Sequence, residues 1–155
     1  MRVQTNSTPE IRLAREQDLN LLLELEIESF SGDRLSQRRL RHWITANNAL
    51  LLCAFSSGNL AGCLLIIFRQ NSRRARAYSL AVAKDYQRRG IAESLITEAY
   101  RRLMEIGRYQ QIYLEVRQDN LAGIRLYEKL GFRQQTHLTG FYQDGSDAIR
   151  MEREL

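Results

Sequence analysis

Cysteine, histidine and lysine are scarce in this chain. Its 155 residues include two cysteines and two histidines, and Lys84 and Lys129 are the only lysines among 23 basic residues. Cys53 and Cys63 sit in apolar runs, which reads as two buried thiols in a reducing compartment and not as a disulfide framework. Neither has a histidine close in sequence, so a thiol nucleophile is not expected. His42 and His137 have no companions at ligand spacing, so no metal is expected. No apolar run approaches a membrane span, and the first residues, MRVQTNSTPE, lack the apolar core of a secretory signal. A cytoplasmic protein without a membrane partner is therefore expected. Zinc-finger spacing, RNA-binding aromatic motifs and a helix-turn-helix signature are all missing. The net charge of +5 suits an anionic partner, but no specific nucleic-acid partner is expected. A non-enzymatic basic nucleic-acid-binding module is the weaker alternative. There is no internal repeat and no low-complexity segment.

What is present fits one soluble domain. The apolar content is 44% and the charged content 26%, ordinary values for a globule of this length. Residues 1–9 read as a flexible tail and residues 10–155 as a single domain. Periodicity predicts a strand over Glu10–Ala14 and a helix over Gln17–Ser29, its stripe formed by Leu19, Leu22, Leu23, Glu26, Ile27 and Phe30. After a break at Ser31-Gly32-Asp33, a second helix runs from Ser36 to Ala46 with Arg38, Arg39 and Arg41 on its polar face. Strands follow at Leu50–Phe55 and Leu60–Phe68, joined by the turn Ser56-Ser57-Gly58-Asn59. Further strands are expected at Ala77–Ala83, Gln111–Val116, Phe132–Thr139 and Ala148–Glu154, and helices from Ile91 to near Gly107 and over Ala122–Leu130. Met104 and Met151 read as core fillers. Early hairpins followed by strand–helix–strand units predict an α/β fold. It has one mixed, mostly antiparallel twisted sheet of about seven strands covered by about four helices.

The chain is organised around AYSLAVAKDYQRRGIAESLITEAY, from Ala77 to Tyr100. It reads as strand, basic turn and helix. The first N–H groups of a helix have no partners within it and favour an anion. Gly90 lets backbone approach a phosphate, and Arg88 and Arg89 add charge-assisted donors. An ordinary strand–helix connection is the competing reading. The stretch has neither the three-glycine dinucleotide fingerprint nor the Gly-Lys-Ser/Thr of a P-loop.

Three further residues carry candidate chemistry. Glu115, near the carboxyl end of QIYLEV, alternates with Ile112, Leu114 and Val116. It is either a general base or half of a surface ion pair. Tyr127, in the short helix, either packs its ring or supplies a proton. Asn120 either caps that helix or hydrogen-bonds a ligand.

Taken together, LAVAKDYQRRGIAESLI, YLEVRQDNLAGIRLYEKLGF and FYQDGSDAIRM resemble the GCN5-related N-acetyltransferase (GNAT) superfamily. The second and third resemble its bacterial ribosomal-protein-alanine acetyltransferase branch. Gln87-Arg88-Arg89-Gly90-Ile91-Ala92 matches the superfamily's pyrophosphate loop, with Ala92 as the allowed alternative to glycine. The resemblance implies acetyl-CoA as cosubstrate. It implies a V-shaped splay between central strands, with the pantetheine arm bonding backbone near Leu80 and Val82. Amides from Arg88 through Gly90 and Ile91 to Ala92 would hold the pyrophosphate, and Asn120 the cofactor arm. Arg88 or Arg89 would also meet the 3′-phosphate. It implies Glu115 as base for the acceptor amine, Tyr127 as acid for the departing thiolate, and a strand amide near Val82 as oxyanion donor.

The acceptor is the less determined part. The Pro-Trp pair common after the first helix in that branch is replaced by ESFSGDRLSQRRL. The resemblance places Phe30 on one wall of the acceptor site and Tyr142 on the other, beside Glu115. A protein N-terminal α-amine is the expected acceptor. A lysine side chain or a small-molecule amine is the alternative.

Overall fold

The computed structural model describes residues 8–32 and 34–155. The tail expected over residues 1–9 therefore falls mostly outside the described residues, as does Asp33. The elements are β1 (Glu10–Leu13), α1 (Leu19–Ser29, entered through a 3-10 turn at Glu16–Asp18), α2 (Gln37–Thr45), β2 (Ala49–Ser56), β3 (Asn59–Phe68), β4 (Arg74–Val82), α3 (Ile91–Ile106), β5 (Gln111–Arg117), α4 (Leu121–Lys129), β6 (Arg133–Leu138) and β7 (Ala148–Glu154). The seven strands form one sheet in the order β1-β2-β3-β4-β5-β7-β6. β1 is antiparallel to β2, and β7 lies antiparallel between β5 and β6. β4 and β5 are parallel, pairing over Arg74–Arg76 against Gln111–Tyr113. Among the described residues no pairing between them continues past Arg76, although β4 runs to Val82 and β5 to Arg117. This is the expected mixed α/β sheet with four α-helices.

The chain divides into two compact units. The first runs to Leu65 and includes Ser79–Ala99; the second comprises Ile66–Tyr78 and Tyr100–Leu155. In the first unit, Leu22, Leu40, Leu52, Leu64, Leu95 and Ile96 are fully buried. α1 buries Leu19, Leu22 and Glu26 of its expected stripe, but Leu25 is buried and Ile27 exposed. β1 meets the start of α1 through a bidentate ion pair. Arg12 donates to both oxygens of Asp18 at 2.7 and 3.0 Å, and the Arg15 N–H donates to Asp18 Oδ2 at 2.7 Å. The β2–β3 turn has left-handed Ser57 (φ 51°) and Gly58 (φ 80°), the conformation a two-residue hairpin requires. Both cysteines are free and buried, and burial pushes both thiols up, Cys53 to about 12. Inert thiols follow.

In the second unit the alternation of β5 holds: Ile112, Leu114 and Val116 are buried while Tyr113, Glu115 and Arg117 take the other face. Met151 and Leu103 are fully buried. Met104 is exposed, correcting its reading as core; its neighbour Leu103 takes the inward position on α3.

Candidate active site

The first unit carries the basic turn. Ala83 N–H donates to Ala61 O at 2.8 Å, toward β3. Backbone groups alternate sides along a strand, so Val82 and Leu80 direct theirs to the opposite edge, beyond the stretch that β5 pairs. After β4 the chain turns through Arg88 (φ 64°) and Gly90 (φ 78°). A left-handed arginine is uncommon for a residue with a Cβ, and here it aims the loop into α3. Ser94 N–H donates to Gly90 O at 3.0 Å, so Gly90 starts the helix and the N–H groups of Ile91 and Ala92 fall in its first turn. A Cβ built on Gly90 meets no atom within 4 Å. The space above the turn is open, the condition an anion at backbone distance requires. Arg88 and Arg89 are exposed, and Arg89 lies 5.5 Å above the Tyr86 ring. Behind the turn, packing is tight. A Cβ on Gly62 of β3 would lie 2.9 Å from Ala81 O and 2.9 Å from Ile91 Cγ2.

The connection between α1 and α2 is in the same unit. Phe30 ends α1 half-buried. Arg34 donates its Nε to Phe30 O and its Nη2 to Ile27 O, satisfying carbonyls the helix end leaves over. Buried Glu26 accepts the Leu35 N–H at 3.0 Å through Oε2. Its Oε1 has no partner among the described residues, and desolvation raises its carboxyl above the usual range.

The second unit carries the acid–base residues. Glu115 is directly opposite Arg150 on β7, and its side chain is 5% exposed. Oε1 accepts from Arg150 Nη2 at 3.0 Å and Nε at 3.3 Å; Oε2 accepts from Arg76 Nε at 3.1 Å. The strand is therefore the source of a buried, twice-paired carboxylate, and both readings of Glu115 contain part of the answer. Oε2 retains a further acceptor direction.

Tyr142 lies in the β6–β7 connection, its ring 4.3 Å from the Arg117 guanidinium. Burial pushes its hydroxyl up, with Arg117 acting oppositely and Glu115 and Arg76 within electrostatic reach. That connection is well tied. Arg117 donates to Asp144 at 3.0 Å, Asp144 accepts the Ser146 N–H at 2.9 Å, and Asp147 accepts the Gly140 N–H at 2.8 Å. Tyr127 stacks edge-on to Phe132 at 5.8 Å. Burial pushes its hydroxyl up to about 12, with Tyr142 the second cause. Asn120 caps α4, its Oδ1 accepting the Gly123 N–H at 3.0 Å, which leaves its amide nitrogen as a donor. Thus Tyr142 lies within electrostatic reach of Glu115 on one hand and Tyr127 on the other. Arg76 and Arg150 pair with Glu115 and Arg117 with the Tyr142 ring, and sequence reasoning missed all three. Arg76 lay outside the strand expected from Ala77, whereas β4 begins three residues earlier, at Arg74.

An open sheet of this order with a glycine turn at the head of a helix fits the acetyltransferase fold class. The model of the acetyltransferase (GNAT) family matches residues 19–132, and the chain belongs to that family. Among known relatives, an N-alpha-acetyltransferase of Saccharolobus solfataricus is 41% identical over 83 residues, 54% of this chain and 50% of that protein. N-alpha-acetyltransferase MAK3 of Arabidopsis thaliana is 30% identical over 141 residues, 90% of this chain and 73% of that protein. The match to the first of these thus spans about half of its length. The crystal structure of the ribosomal-protein-alanine N-acetyltransferase of Escherichia coli aligns with a TM-score of 0.84 at 27% identity, covering 95% of this chain and 94% of that one.

Proposed function

We propose that this chain is an acetyl-CoA-dependent N-acetyltransferase whose acceptor is a protein N-terminal α-amine, acting in a reducing, cytoplasmic compartment. The observation that carries the proposal is the shielded Glu115 carboxylate with Tyr142 within electrostatic reach of it. The names of the two relatives above support the α-amine. Residues 10–155 are taken as one catalytic domain, since the family match runs through segments of both units.

The turn residues fit the cosubstrate. The open space over Gly90, the N–H groups of Ile91 and Ala92, and exposed Arg88 and Arg89 suit a pyrophosphate with its added 3′-phosphate. Leu80 and Val82 offer strand-edge backbone to the pantetheine arm, and the Asn120 amide offers a side-chain donor. Acetyl-CoA supplies an activated acetyl thioester. The protein's own part is proton handling. An α-amine with an ordinary pKa near 8 must lose a proton before attack; Glu115 accepts it, directly or through one water. Tyr127, protonated at neutral pH, donates to the departing sulfur. Phe30 and Tyr142 flank the acceptor.

The test is an acceptor screen with acetyl-CoA, read by thiol release and mass spectrometry. Peptides with free N-termini, N-blocked lysine peptides, polyamines, aminoglycosides and amino acids form its arms. Acetylation of peptide α-amines is the expected result. Turnover of a small amine, with no α-amine of any peptide modified, would overturn the acceptor assignment.

A further inference from the structure

We infer that the acceptor carries a carboxylate close to its reacting amine, and that Arg76 and Arg150 recognise it. The inference rests on the reading of Glu115 as the residue that receives the amine. A shielded carboxylate needs one cationic partner, and a single bidentate arginine supplies it. Glu115 has two, from β4 on one side and β7 on the other, so the cluster carries one positive charge in excess. Arg117 does not add to this excess, because Asp144 neutralises it.

The excess charge lies on the outside of the cluster. The Glu115 side chain is 5% exposed, whereas those of Arg76 and Arg150 are 33% and 30% exposed. An arriving group therefore meets guanidinium before carboxylate. Both guanidinium groups have donors to spare. Of five N–H groups on each, among the described residues Arg76 commits Nε, and Arg150 commits Nε and one N–H of Nη2, all to Glu115. Their planes are also steadied by aromatic rings. Arg76 lies 5.1 Å from the Tyr78 centroid and Arg150 5.6 Å from that of Tyr113, which lowers the ordering cost of a new bond.

Charge balance gives the substrate class. A positive site disfavours an ammonium group and thereby helps the amine lose its proton. The same charge draws in a neighbouring carboxylate, which offsets the excess positive charge of the resting cluster. Two kinds of acceptor supply this chemistry: a peptide with Asp or Glu at its first or second position, and a free amino acid through its α-carboxylate.

Matched peptides differing only in Glu, Gln or Lys at the second position are assayed with the full chain. Free amino acids and their α-amides run in parallel. The expected result is kcat/KM higher by about tenfold or more for the Glu peptide than for its Gln counterpart, with Lys lower still. In Arg76→Gln and Arg150→Gln proteins, checked for a native melting transition, that ratio falls toward one whatever happens to the absolute rate. Arg150→Lys retains part of it. Equal use of Glu and Gln peptides by the wild type overturns the inference without need of any variant. So does a preference that survives in both Gln variants. If no peptide is acetylated, the N-terminal reading fails separately. The amino acids then decide: preference for acid over amide that depends on the two arginines supports the inference, and no such preference, or no turnover of either, overturns it.

Discussion

At the residue scale, the pair expected to move protons is protected in two different ways. Glu115 is shielded from solvent but held by two guanidinium groups, so its charge is compensated in the resting protein. Glu115→Gln keeps the shape and removes the proton acceptor. It is expected to lower kcat by about tenfold or more, most at low pH where the amine is hardest to deprotonate, with unchanged acetyl-CoA affinity by calorimetry. Wild-type turnover in the folded variant would refute the role. Tyr127 is held neutral by desolvation, its hydroxyl pushed up to about 12. The ordinary tyrosine value is about 10. Its proton is therefore still in place where an exposed tyrosine would have begun to ionise. The pH–rate profile should show no loss of the acid near pH 10 that Tyr127→Phe removes. A tyrosine-dependent alkaline limb centred near 10 would contradict the buried assignment. The linkage has a definite sign: a raised pKa gives stability that is full below about 10 and is lost as pH rises through about 12.

At the scale of elements, the turn from β4 into α3 is set by two glycines with different reasons. Gly90 needs its left-handed φ of 78°, yet nothing stands within 4 Å of an added Cβ. Gly90→Ala therefore strains backbone and narrows the space above the turn without a clash inside the protein. It should cost about 1 kcal/mol of stability and weaken acetyl-CoA binding, as measured by calorimetry on the folded variant; unchanged affinity would sink the cradle. Gly62 is crowded instead, with Ala81 O and Ile91 Cγ2 each 2.9 Å from the Cβ position. The backbone oxygen cannot swing aside, so Gly62→Ala should push β3 from β4 and the first residue of α3. A loss of about 1–3 kcal/mol is expected in denaturant melts, together with a raised KM for acetyl-CoA. A stable variant with normal KM would show that the helix start tolerates displacement.

At the scale of the whole molecule, acid stability should depend strongly on one buried carboxylate. Asp18 is 3% exposed. Arg12 is the largest cause holding its carboxyl below the usual range, with help from the Arg15 N–H against desolvation. A lowered pKa means stability present above the unfolded value of about 4 and lost as pH falls through the folded one. Asp18→Ala leaves Arg12 without its partner and should cost about 3 kcal/mol or more at neutral pH, while flattening the acid limb of the stability curve. An unchanged acid limb would place the acid sensitivity elsewhere. No helix among the described residues is long and apolar enough to cross a membrane.

Local physics made most elements legible. Two-residue alternation marked β1 and β5, apolar spacing and Gly107 bounded α3, and Ser57-Gly58 announced the hairpin. The basic turn before Ile91 was readable because a short glycine-containing segment carries its own backbone requirement. Glu115 stood out as a carboxylate in an apolar strand. Its partners did not, since Arg76 and Arg150 are 39 and 35 residues away. Arg74 closed the polar stretch from Gln70 and Arg76 preceded the expected strand start, until parallel pairing with β5 drew both into β4. The partner of Glu26 was hidden for a similar reason: it is the Leu35 N–H beyond the end of its helix. Sequence alone therefore determined the order of elements, the glycine turn and the identity of the candidate base, all of which depend on neighbours along the chain. Only the tertiary structure decided that this base sits between two arginines with positive charge outermost, because strand register brings distant residues within hydrogen-bond reach and no local pattern encodes it.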